Sequence, residues 1–113
     1  MHLLIIVLNK EMFLDEVMEA FVEVGITGAT IVDSVGMGQT LAYRVPIFAG
    51  LRKSLKTSEY NKMIFSVVQN EKILEEALQL IEEIIDFDTP GNGILFAVPI
   101  TLTRGVGLDE LTW

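Results

Sequence analysis

Two glycine-rich stretches carry most of the chemistry this sequence offers: SVGMGQ over residues 34–39 and TPGNG over residues 89–93. Glycine turns leave backbone N–H groups uncovered and allow close approach, which is how a loop cradles phosphate. Each stretch also borders a strand-like run, where glycine is ordinary punctuation, so neither is a site by itself. The remaining reactive groups are sparse. The chain has no cysteine and one histidine, His2 at its start, which excludes disulfides and thiolate metal sites and gives no expected metal centre. General acid–base work needs a titratable group with a tuned pKa. Most acids here, such as Glu16, Glu19, Glu75 and Glu82, fall on the wet faces of expected helices. Asp33 is the exception, in an otherwise apolar run, and is expected to face outward from a strand. No catalytic residue is expected.

Charge is distributed unevenly. The net charge is −8, yet five of the eight basic residues (Arg44, Arg52, Lys53, Lys56 and Lys62) lie between residues 44 and 62 beside a single acid, Glu59. That segment carries +4 and the remainder −12. An acidic body argues against non-specific nucleic-acid binding, and a basic island is a candidate contact for an anionic partner or ligand.

These groups need elements to position them. Leu3 to Leu8 is a short apolar run, read as a strand buried on both faces. Leu14, Val17, Met18 and Phe21 form one face of a helix over residues 11–24, with Gly25 as its left-handed terminator. Ala29 to Val35, β-branched at four positions, is the second strand. Residues 36–61 read as long and irregular, interrupted by Gly36, Gly38, Pro46 and Gly50, with a turn of helix at FAGLRKSL. Lys62 to Gln69 is a third strand. Asn70 is placed to cap a helix over residues 71–86, and ILFAVPI after the DTPGNG turn is a fourth strand. Residues 101–113 form a tail.

The order is β-α-β, long loop, β-α-β. This predicts one α+β domain over residues 1–113 of the ferredoxin-like βαββαβ plan, a four-stranded antiparallel sheet with two helices on one face. The other face of such a sheet alternates toward polar residues when it meets water, but LLIIVL, MIFSVV and ILFAVPI are apolar at both parities. A second copy covering that face is the simplest account, so a closed homo-oligomer is expected. No run reaches membrane-span length, and the N-terminal apolar run lacks the basic leader and cleavage site of a signal peptide. A soluble, cytoplasmic protein without membrane insertion is expected.

The stretch LDEVMEAFVEVGITGATIVDSVGMGQ resembles the signature of the P-II signal-transduction family, and TPGNGILFAVPI is similar to that family's second glycine motif. The resemblance runs from about Leu3 to Ile100, with residues 37–61 in the position of the family's T-loop. It implies a homotrimer of ferredoxin-like subunits that binds a small anionic effector, such as ATP, ADP, AMP or a cyclic dinucleotide, in clefts between subunits. It also implies a T-loop that contacts a target protein. Carried over residue by residue, Gly36, Met37, Gly38 and Gln39 line one wall of the cleft with Thr30 beneath. Gly91, Asn92 and Gly93 come from the other wall, and Arg104 is the one basic residue of the tail. Tyr43, Arg44, Arg52, Lys53 and Lys56 belong to the partner-contact loop.

The departures from the family pattern are chemical. Gln39 stands where the family has arginine, Asn92 where it has an acid, and Ile94 where it has a phosphate-binding lysine. Phe48 replaces the tyrosine that accepts nucleotidyl groups in some members, so that modification is excluded. Each charge-assisted phosphate contact contributes about 1.5–3 kcal/mol, so the substitutions point away from ATP held in the family's usual manner. Other readings remain open: an ACT-like small-molecule sensor, though LNKEM after the first strand has no glycine; an enzyme using Asp33, though the arginine-bearing glycine loop of acylphosphatases is absent; or a structural oligomerisation module without a ligand.

Overall fold

The computed structural model describes residues 1–53 and 61–105 of the 113-residue chain. Four strands, β1 (His2–Leu8), β2 (Thr30–Ser34), β3 (Asn61–Val68) and β4 (Gly93–Pro99), form one sheet in the order β2-β3-β1-β4. Every neighbouring pair is antiparallel. Helices α1 (Leu14–Val24) and α3 (Glu71–Ile84) connect β1 to β2 and β3 to β4. The architecture is the expected ferredoxin-like α+β plan. A further helix, α2 (Met37–Arg44), and a 3-10 segment (Pro46–Lys53) fill much of the connection between β2 and β3.

Side-chain parity assigns the two faces of the sheet. Leu4, Ile6 and Leu8 of β1 are fully buried, as are Ile64 and Ser66 of β3, and they meet Val17 and Phe21 of α1 and Ala77 and Ile81 of α3. Ser66 is a buried polar residue in this layer, and its hydroxyl donates to the Gly28 carbonyl. The register then places Leu3, Ile5, Val7, Val32, Met63, Phe65, Val67, Ile94, Phe96 and Val98 on the opposite face. No helix of the chain packs there among the described residues, and Ile94, Phe96 and Val98 are exposed. The expectation that both parities are apolar is met: of the ten apolar side chains on this face seven are half-buried and three are exposed.

Local signals explain most boundaries. Gly25 ends α1 at φ 94°, its N–H donating back into the last turn. The Asn70 side chain accepts from the N–H groups of Lys72 and Ile73, at 2.7 and 3.3 Å, and starts α3. The first expected helix is divided: Glu11–Phe13 is a 3-10 turn that leads into α1.

The expectation of an irregular segment over residues 36–61 is corrected. Gly36 does not interrupt a helix; it is the residue that caps one. The Gln39 side chain accepts from the Gly36 N–H at 2.9 Å, and the Thr40 hydroxyl donates to the Gly36 carbonyl at 3.0 Å. Gly38 lies in the first turn, where its conformational cost, about 0.5–1 kcal/mol, is tolerated. Pro46 follows the C-cap residue Val45 and stops the helix without cutting it. The turn expected at FAGLRKSL is present as the 3-10 segment up to Lys53. The part of the loop containing Lys56 and the end of the tail lie outside the described residues.

Candidate functional site

Strand directions fix where the glycine stretches lie. β1 and β2 run one way, β3 and β4 the other. The end of β2 and the start of β4 therefore share one end of the sheet, but they occupy its two opposite edges. Three strand spacings separate them, about 14 Å. Within one chain, Gly36, Met37, Gly38 and Gln39 do not share a pocket with Gly91, Asn92 and Gly93.

On the β2 edge, Gln39 is nearly buried and spends its side-chain oxygen on capping α2. Beside it Asn61, the first residue of β3, is also buried, and its amide nitrogen would lie 3.3 Å from a Cβ placed on Gly36. Asn61 Oδ1 has no hydrogen-bond donor among the described residues. Met37 is strongly exposed next to this cluster. Thr30 lies one strand row from Phe65, on the uncovered face of the sheet.

On the β4 edge, Gly91 adopts φ 88° and Gly93 φ 131°, both in the region that favours glycine. A Cβ on Gly93 would lie 2.1 Å from the Val7 carbonyl oxygen, so only glycine permits β4 to start this close to β1. Between them Asn92 is buried and donates its amide to the Asp86 carbonyl at 2.8 Å. Its Oδ1, like that of Asn61, lacks a donor among the described residues. Ile94, the residue after Gly93, is exposed on the uncovered face.

Arg104 is not near either edge site of its own chain. It lines a shallow depression of about 490 Å³ with Met1, Gln69, Thr103 and Gly105, at the end where β1 begins and β3 and β4 finish. A seven-residue strand, about 20 Å long, separates it from the glycine stretches. Its guanidinium donates to the Thr103 carbonyl.

Tyr43 and Arg44 occupy the last turn of α2, both exposed at their surfaces. Arg52 and Lys53 fall at the end of the 3-10 segment. Asp33 is exposed and ion-paired with Lys62, which also lies 3.7 Å from Glu11. The hydrogen bond to Asp33 is the main cause that raises the Lys62 pKa above its ordinary value. Lys62 thus ties β3 to β2 through Asp33 and to the 3-10 turn before α1 through Glu11. Among the described residues no cluster of three or more His, Asp or Glu is placed to hold a metal ion. No helix among them is long and apolar enough to cross a membrane.

Sequence comparison decides what this frame belongs to. The family model described as nitrogen regulatory protein P-II matches residues 1–107. The chain belongs to the P-II family. Comparison with curated proteins gives no match. A P-II chain is a signalling regulator, so the role of this one is regulatory at that level. Two features of this P-II chain escaped the sequence reading. One is α2, whose only local signal was Gln39 three residues after Gly36, a capping spacing that glycine leaves weak. The other is the pair of buried asparagine oxygens, for which the sequence carries no signal.

Proposed function

We propose that this P-II protein works as a homotrimer that senses a small anionic effector in clefts between subunits and relays its presence through the α2 arm to a partner protein. The observation that carries this reading is the placement of the glycine stretches at one end of the sheet on opposite edges. Each chain then offers half of two sites, and a neighbour supplies the other half. The uncovered apolar face gives the subunits reason to associate: at about 25 cal/mol per Å², several hundred Å² per subunit favours assembly strongly.

The polar groups indicate what the cleft would accept. Backbone N–H groups at Gly38, Gly91 and Gly93 suit phosphate oxygens, while that of Gly36 is already given to Gln39. With Ile94 and Gln39 at the positions where the family has cations, the cleft favours ligands with few phosphates. AMP or a cyclic dinucleotide fits this better than ATP or ADP. In the same assembly Arg104 would serve a neighbour's site or none.

Native mass spectrometry followed by calorimetric titration with ATP, ADP, AMP, cyclic dinucleotides and carboxylates tests both halves. A trimer that binds one of these supports the proposal. A well-behaved monomer at micromolar concentration removes the shared site. A trimer silent to the whole panel selects the second reading, a ligand-free oligomerisation module, which the commitment of the Gln39 side chain to capping favours.

A further inference from the structure

The connection between β2 and β3 has a surface that neither the fold nor the proposed cleft uses. α2 and the 3-10 segment pack chiefly against each other and little against the sheet. The molecule measures 49 Å along its longest axis against 28 and 21 Å across. At the turn out of α2, Pro46, Ile47, Phe48, Ala49 and Gly50 are all exposed, Ile47 at 84% and Phe48 at 40%. Five consecutive exposed residues without one polar side chain are unusual on a water-facing segment and mark an interaction surface.

Charge narrows the occupant. No acid occurs between Asp33 and Glu59, while Arg44, Arg52, Lys53 and Lys56 do. This stretch carries +4 and the rest of the chain −12. Arg44 precedes the apolar turn, and Arg52 and Lys53 follow it. An apolar wedge flanked by cations on a protruding arm matches the layering of an anionic bilayer, acyl chains beneath charged headgroups. The acidic body would be held away from such a surface, which fixes the orientation. Cyclic symmetry places equivalent points of every subunit in one plane, so identical arms meet a flat surface together; this gain rests on the trimeric reading above.

We infer that the apolar turn PIFAG at the end of the arm docks peripherally on anionic lipid membranes, with Ile47 and Phe48 entering the interface and the cations that flank the turn in sequence drawing it to the headgroups, which leaves the rest of α2 to the partner protein. Each cation near an anionic surface strengthens binding about fivefold, so the attraction disappears on neutral lipid and in high salt.

The test is flotation of the full chain with vesicles of phosphatidylcholine containing about 30% phosphatidylglycerol, or of phosphatidylcholine alone. Sedimentation velocity on the same samples reads the oligomer. The wild type is expected to float with the anionic vesicles and to bind the neutral ones at least about tenfold more weakly. Ile47→Asp with Phe48→Asp, and separately Arg52→Glu with Lys53→Glu, are expected to lower anionic-vesicle binding at least about tenfold while the sedimentation coefficient and melting temperature hold. Absence of flotation by a folded wild type, or equal flotation of wild type and both variants, overturns the inference and leaves the turn to a protein partner. A monomer that floats with the expected lipid and variant dependence upholds the docking and removes the trimer.

Discussion

The start of β4 gives the sharpest test of the fold. Gly93→Ala would place a Cβ 2.1 Å from the Val7 carbonyl oxygen, with backbone rather than a flexible side chain as its neighbour. Relief requires β4 to move away from β1 by about an ångström to reach ordinary contact, which loosens the pairing of Leu8 with Gly93 and Val7 with Ile94. The backbone must also hold alanine at φ 131°. Strain of this kind costs about 1–3 kcal/mol and overpacking about 1–3 kcal/mol more, so the loss is expected at about 2–6 kcal/mol, a large part of a typical domain's stability. Gly91→Ala is the control. It has the same conformational problem at φ 88°, but its Cβ would point into open space, and about 1–2 kcal/mol is expected. Urea unfolding at one fixed protein concentration reads the difference, since assembly makes stability concentration-dependent. If Gly93→Ala is no more destabilising than Gly91→Ala, the close approach of β4 to β1 is wrong.

Gln39→Ala removes the α2 cap and should cost about 0.5–2 kcal/mol, read as a lower helix signal in circular dichroism and an earlier urea midpoint. Gly38→Ala meets no atom within 4 Å and should stabilise the chain by about 0.4–1 kcal/mol; unchanged stability with lost effector binding would assign Gly38 to the ligand. Ile94→Lys places a cation beside the start of β4 and should raise affinity for triphosphate about tenfold to a hundredfold in calorimetric titration, read at a protein concentration where native mass spectrometry still finds the assembly. Because the folded-state pKa of Lys62 is raised, the stability it supplies is fully present below the unfolded lysine pKa, near 10.4. It is lost as pH rises through the folded value. The urea midpoint of the wild type should therefore fall more steeply between about pH 10 and 12 than that of Lys62→Met, which lacks the titrating group.

The sheet and its two long helices were legible because period and punctuation agree there. Leu14, Val17, Met18 and Phe21 recur at helical spacing up to Gly25, and Asn70 caps the helix that carries Leu74, Ala77 and Ile81. α2 was hidden because Gly36, Gly38 and Pro46 are helix breakers in general. They are harmless at an N-cap, in a first turn and just past a C-cap, and only coordinates show that they occupy those places. The candidate site was legible as residue types but not as an arrangement. Strand order puts the glycine stretches on opposite edges and Arg104 at the far end, and strand order is a long-range property that no local pattern reports. The burial of Asn61 follows likewise from the approach of Gly36, the residue before α2, to the start of β3.

The opposite-edge arrangement has a genetic consequence. In a ring built on the proposed plan, a chain damaged on its β2 edge spoils the site it shares with one neighbour and leaves its β4 half sound for the other. Mixing such chains with copies damaged only on the β4 edge would regenerate an intact site wherever two sound halves meet. Two inactive proteins would then rescue each other in proportion to how often those halves adjoin, a pattern of complementation that a pocket contained within one subunit does not produce.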